Sequence, residues 1–261
     1  MFGVAVILAS ILLALFGTWL TPFDPHEDAG AVFSPPSSVH PMGTDHLARD
    51  VFSRFIVGTR VSLMVGLSAA SIATLIGLLI GAAAGYLGGW VDSVLMRIAD
   101  VVLTIPLLIL GMALAAILGP SIVNIILIIS ILSWPNTARL VRSQFLTIRE
   151  REYVRAAVVV GSSGWWIVFR EILPNVVPVI LVAWSYEVGG AIITEAALSF
   201  LGLGDIQAGS WGIMLNDAQR FLRDAWWMSV FPGLGIALAV LSANLVGEGL
   251  NDAFNPKLHG R

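Results

Sequence analysis

Long apolar runs divided by shorter polar stretches set the layout of this chain. The first run is Phe2–Leu20, closed by Pro22. It has no basic leading region and no small-x-small cleavage signal, so it reads as a retained membrane helix and not as a removable leader. The polar stretch Thr21–Arg60 follows. Further runs lie at about Val61–Tyr86, Val94–Leu118, Ser121–Phe145, Val176–Leu198 and Met228–Leu250. Each is long enough to cross a bilayer, which takes about 20 residues of helix. None alternates as the strands of a membrane barrel do. The expectation is an all-α polytopic membrane protein with six transmembrane helices. Pro106 interrupts the third run and Pro135 the fourth, which allows bends there. Gly77, Gly81 and Gly85 put small residues on one face of the second helix, where another helix can pack closely.

Composition agrees with that reading and adds exclusions. Hydrophobic residues make up 57% of the chain and charged residues 12%, about half the roughly 25% charged of a soluble domain. Cysteine is absent, which removes disulfides, thiolate metal sites and a cysteine nucleophile. There is no GxxxxGK[ST] loop to cradle a nucleotide phosphate. His26, His40 and His46 are too dispersed over the outer stretch to form a metal cluster. With no serine elbow and no HExxH either, the chain reads as non-enzymatic, with no cofactor of its own.

Arginine and lysine near the span ends set the orientation. With the N-terminus inside, the cytoplasmic side receives Arg97, Arg139, Arg142, Arg149, Arg151, Arg155, Arg170, Lys257 and Arg261. The outer side receives Arg49, Arg54, Arg60, Arg220 and Arg223, together with most of the acids. This bias favours both termini in the cytoplasm and makes Thr147–Asn175 the main cytoplasmic connection. Its first half reads as a helix with charge at its start. Gly161 relieves that helix where a left-handed backbone is plausible. Ser162 or Ser163 can cap the next turn, and the stretch from Trp165 to Leu173 gives a second short helix stopped by Pro174. Two readings stand side by side: a flat, small-residue face that inserts into a partner's groove, and an amphipathic hairpin lying on headgroups. The connection between the second and third runs is the other cytoplasmic exposure. Gly88 and Gly89 break it, and a short helix over Trp90–Ile98 carries Asp92 near its N-terminus, where the dipole favours an acid.

The pattern Glu-x3-Ala-Ala-x3-Gly followed by Leu-Pro, here Glu152, Ala156, Ala157, Gly161, Leu173 and Pro174, resembles the EAA loop of ABC-importer permeases. Three other segments are similar to the C-type permease of the dipeptide, oligopeptide and nickel importers: His40–Leu63, Glu195–Gly204 with SWGIML from Ser210, and Phe231–Pro256. The resemblance covers nearly the whole chain in the right order. It implies the type I importer permease fold, with a first helix and outer segment at 1–60 and a core permease domain at 61–261. It implies that the loop at about 147–175, Arg170 included, forms a coupling helix seated in a cytoplasmic ATPase subunit. A second homologous permease, an ATPase pair binding ATP and Mg, and an extracytoplasmic substrate-binding protein follow as partners. The bacterial inner membrane follows as the location, and di- or oligopeptides as cargo, with nickel or another small solute as the alternative. This chain departs from the pattern at Ala48, where many relatives have glycine, and at Glu248 and Asn251 in the last run.

In the outer stretch, Asp45, Arg49 and Asp50 lead into a short amphipathic helix at about Leu47–Val57. That helix either seats the outer loop at the interface or touches the binding protein. Trp211, between the last two runs, fits an aromatic belt as well as a docking surface. Carboxylates in hydrocarbon must face protein or water. Glu187, with Tyr186 beside it, and Asn244 therefore either line a translocation path or bond to a neighbouring helix. A remote alternative is an ion-coupled carrier gated at Glu187, although no internal repeat supports it.

Overall fold

The computed structural model describes residues 12, 13 and 16–254. The first expected span, Phe2–Leu20, lies outside the described residues except near its end, where Gly17–Trp19 form a 3-10 turn. Lys257 and Arg261 also lie outside them. Among the described residues there is no strand, only a single bridge between Thr44 and Asp50.

The helices are α1 (Val51–Leu87), α2 (Gly89–Thr104), α3 (Leu107–Leu118), α4 (Ile122–Arg149), α5 (Glu152–Val159), α6 (Leu173–Phe200), α7 (Trp211–Ala218) and α8 (Trp227–Phe254). Those at Val51–Leu87, Ile122–Arg149, Gly164–Phe200 and Trp227–Phe254 are each long and apolar enough to cross a membrane. The third expected span is not a single straight helix: α2 and α3 meet at 85°. The residue before a proline is driven out of helical geometry. Ile105 accordingly sits at φ −95, ψ 127, and Pro106 cannot donate to the ladder. Counted with this bent pair as one, the described helices give up to five spans. Pro135, by contrast, lies inside an uninterrupted α4.

The expected short helix at Leu47–Val57 does not exist as a separate element, because α1 starts at Val51. The cause is the Asp50 side chain, whose Oδ2 accepts from the Ser53 backbone N–H at 2.8 Å and so caps the first turn. Ala48, just before it, has φ 59. That left-handed conformation costs an ordinary L-residue about 1–2 kcal/mol. Ala48→Gly is therefore expected to stabilise the protein by up to about 1 kcal/mol, read as a small rise in thermal midpoint in detergent.

The chain divides into two compact units. The first takes in Met1–Ala69, Leu108–Ile129 and Val188–Leu245; the second takes in Ala70–Leu107, Ser130–Glu187 and Val246–Arg261. In the first, Trp211 is a central packing element. Its ring stacks on Phe55 with centroids 5.5 Å apart, and its Nε1 donates to the Phe55 carbonyl at 3.1 Å. Glu195 is buried in the same unit and accepts from the hydroxyls of Ser199 (2.7 Å) and Ser62 (3.3 Å). These bonds satisfy a carboxyl group that hydrocarbon alone would not tolerate.

In the second unit the glycine face of α1 packs on α4. A Cβ on Gly77 would stand 2.7 Å from Thr137 Cβ, one on Gly81 would collide with the Ala138 carbonyl oxygen, and one on Gly85 would stand 2.6 Å from Phe145 Cβ. Close backbone approach is the use expected of such a stripe. A buried cluster of Val141, Phe145, Ile148, Val154, Ile167 and Ile172 then ties α4 and α5 to the turns that open α6.

Candidate functional site

Helix α5 starts after Arg151, whose extended backbone (φ −68, ψ 146) breaks with α4. Glu152 occupies its first turn, where the helix dipole favours an acid. The helix ends at Gly161, φ 84. The Gly161 N–H reaches the Val158 carbonyl at 3.0 Å and the Ser162 N–H reaches the Ala157 carbonyl at 3.1 Å. This pair of bonds is a Schellman close, which needs a left-handed residue and favours glycine there. Ser163 then caps the next turn, its Oγ accepting from the Trp166 N–H at 3.3 Å.

The two faces of α5 differ. Val154 is buried against the cluster below, and Ala157 packs partly on it. Glu152, Ala156, Val159 and Val160 are exposed, Val159 at 87% and Val160 at 84%. Their spacing of four, seven and eight residues puts them on one helical face. One side of a short helix is thus fixed to the core while the other presents small and branched apolar groups without a partner among the described residues. Flanking charge comes from the exposed Glu150–Arg155 ion pair.

Beyond Ser163 the expected helix stop at Pro174 is overturned. The chain passes from Gly164 through a π-helical stretch, Ile167–Ile172, straight into α6. A proline ring collides with the carbonyl four residues back, here that of Arg170. The wider π turn sits at that residue and relieves the clash. Leu173 is half-buried and Pro174 is exposed. Trp165 and Phe169 stack with centroids 5.3 Å apart.

The second exposed connection bends at Gly88 and Gly89, φ 66 and 55, and leads into α2. That helix is longer than the expected Trp90–Ile98 and carries two acids paired with α4. Arg142 clasps Asp92 through Nε and through Nη2 at 2.6 Å, and Arg139 pairs with Asp100. Sequence reading placed Asp92 at a helix start but could not find its partner 50 positions away.

In the outer segment Asp45 receives two arginines on Oδ2: Arg54 Nη1 at 2.6 Å and Arg49 Nε at 2.8 Å. Its Oδ1 accepts the backbone N–H groups of Leu47 and Arg49. Both guanidinium groups also reach Asp217 Oδ2, at 2.9 Å from Arg54 and 3.3 Å from Arg49. Asp50 holds His40 Nδ1 at 3.0 Å and the Ser53 hydroxyl. Asp45, Asp50 and Trp211 are buried. Their side chains tie the segment Ala29–Asp50 to α1 and α7 and present no face outward. Arg54, which sequence reading did not single out, completes the cluster.

Burial works against the Asp45 charge, but Arg54, the Arg49 backbone and side chain, and the Leu47 N–H outweigh it and hold the carboxyl below its ordinary 3.8. A depressed carboxyl adds stability above its unfolded value and loses it as pH falls through the folded value. The outer segment should thus keep its hydrogen-exchange protection from neutral pH down to about pH 4 and lose it only below that. Loss beginning near pH 6 would contradict this assignment.

Of the residues expected near a path, Glu187 bonds to Ser133 of α4, and Tyr186 is 45% exposed. Asn244 faces α6 through Gly189, where a Cβ would stand 3.3 Å from its Oδ1.

Compared with known proteins, residues 77–260 match the family described as "Binding-protein-dependent transport system inner membrane component". The chain is 42% identical over 258 residues to the probable D,D-dipeptide transport system permease protein DdpC of Escherichia coli, covering 98% of this chain and 87% of that one. It is 41% identical over 255 residues to the glutathione transport system permease protein GsiD of Pectobacterium atrosepticum, covering 97% and 85%. Among solved structures, an inward-facing MetNI methionine ABC transporter matches with a TM-score of 0.59 at 18% identity, over 74% of this chain and 94% of that chain. That match speaks to the fold.

Proposed function

Because this chain belongs to the family of binding-protein-dependent transport system inner membrane components, we propose that it is one of two homologous permeases in an ATP-driven importer of di- or oligopeptides. It is a multi-pass inner-membrane subunit. The proposal places both termini and the α4–α6 connection in the cytoplasm, a pair of ATPase subunits against α5, and a substrate-binding protein at the outer face. Residues 61–261 then act as the core permease and residues 1–60 as its outer attachment.

One observation carries the coupling role: the exposed stripe Glu152–Ala156–Val159–Val160 on a helix whose other face is locked into the core. Apolar side chains at more than four-fifths exposure on a face rimmed by charge are the pattern of a surface that a partner covers. Gly161, Arg170, Leu173 and Pro174 keep that helix in register with α6. ATP and Mg belong to the partner ATPases. Movement of those subunits would pass through α5 into α4 and α6, to which the loop is covalently joined. Tyr186, Glu187 and Asn244 are the proposed path residues. Asp45, Arg49, Asp50 and Trp211 are proposed to hold the outer segment in the shape that a binding protein meets. Peptide as cargo rests on the names of the relatives.

The test is reconstitution of the full set of subunits in liposomes. Uptake of a labelled dipeptide should require ATP on the ATPase side and the binding protein on the other. Uptake by this chain alone, driven by an ion gradient, would establish a carrier instead.

A further inference from the structure

Beside the exposed stripe, the same loop borders an apolar groove of about 460 Å³. Leu79, Ala83 and Leu87 line it from α1, Trp165 and Phe169 from the turns that open α6, and Phe145 from α4. The volume lies within the roughly 300–1,000 Å³ of small-molecule sites. It equals about 15 liquid-water volumes, the space of an alkyl chain of similar carbon count. Water is a poor occupant, since the lining is almost wholly apolar and offers no set of polar partners. Leu87 is the last residue of a helix long and apolar enough to cross a membrane, so the groove lies at one end of that helix. Trp165, 75% exposed, borders the groove, and tryptophan is favoured at membrane–water interfaces.

One cation is bonded to the rim of the groove, and a second follows a lining residue in the chain. Arg149 donates Nη1 to the carbonyl of Tyr86, another lining residue, at 2.9 Å. Arg170 follows Phe169 directly and is exposed. We propose that the groove holds an acyl chain of one anionic phospholipid, whose phosphate lies against Arg149 and Arg170. An apolar slot with basic residues at its cytoplasmic rim is the physical pattern for such a headgroup. The occupant would touch α1 and the coupling loop together, so the loop's position would depend on the lipid. The inference rests on the loop being cytoplasmic and facing the ATPase. That reading is checked separately, by whether a cysteine at position 159 cross-links to an ATPase subunit.

Native mass spectrometry of the complete importer, delipidated and given either phosphatidylglycerol or phosphatidylcholine with the same acyl chains, tests the proposal. One phosphatidylglycerol should be retained per copy of this chain, several-fold more strongly than phosphatidylcholine. Arg149→Gln and Arg170→Gln should each weaken retention about fivefold. Ala83→Trp, which fills the groove, should abolish retention while the thermal midpoint stays as in the parent. If Ala83→Trp fails to fold, the two arginine variants decide alone. Equal retention of the two lipids, or full retention in the arginine variants, overturns the proposal. So does a photo-cross-link from position 169 to another protein subunit in lipid-replete membranes.

Discussion

Gly161→Trp is expected to leave the permease inserted and folded while transport falls at least about tenfold. The structure separates two effects at this position. Gly161 sits at φ 84, a conformation that costs any L-residue about 1–2 kcal/mol. In occupancy terms that is about tenfold, and it falls on the close that ends α5. A Cβ built there meets nothing within 4 Å, so the side chain starts into open space and not into this chain's core. Its bulk matters only against whatever covers the exposed face of α5. Gly161→Ala isolates the first effect, because it carries the backbone strain without the bulk. Alanine should reduce coupled transport by a few-fold, and tryptophan should remove it. The basal ATPase rate of the assembled complex should survive, with its stimulation by substrate lost. Full transport in the tryptophan variant would detach α5 from any docking role.

Asp45→Ala should release the outer segment, at a cost of about 3–5 kcal/mol, the range seen when one partner of a buried ion pair is removed. In the intact protein Arg54 and Arg49 share two carboxylates, Asp45 and Asp217. Without Asp45, two partly desolvated guanidinium groups are left on one acid, and the N–H groups of Leu47 and Arg49 lose their acceptor. Arg54→Ala should cost a similar amount. Asp217→Ala should cost less, since its side chain is 23% exposed and water can replace part of what is lost. Hydrogen exchange reports the result directly, because the Ala29 and Phe33 N–H groups bond to the carbonyls of Ala48 and Asp45. Protection of those amides should collapse in Asp45→Ala while α4 and α5 stay unchanged. Unaltered protection would show that the charge cluster is not what holds the segment.

These two positions also show what the sequence could disclose. Gly161 was legible because a helix pattern, a glycine and a following serine form a local signal, and the left-handed close is built from residues next to it. The glycine face of α1 was legible for the same reason, since its spacing of four residues is a property of one helix. Pro106 announced a break, and the extended backbone at Ile105 is its direct consequence. What failed to show depends on distant partners. The start of α1 at Val51 follows from a cap, Asp50, that is itself held by His40. The Arg54–Asp217 bond joins residues 163 positions apart, and no periodicity encodes such a pair. Pro174 misled because its local rule is correct but the preceding π turn cancels it.

The most direct test of the coupling account uses the absence of native cysteine in this chain. Single cysteines at Val159 and at the buried Val154 can be compared in the assembled importer and in the permease alone. The account predicts that the cysteine at 159 cross-links to an ATPase subunit and is shielded from a water-soluble maleimide only in the assembly, while the one at 154 does neither. Equal labelling at 159 in both states, with no cross-link, would contradict it.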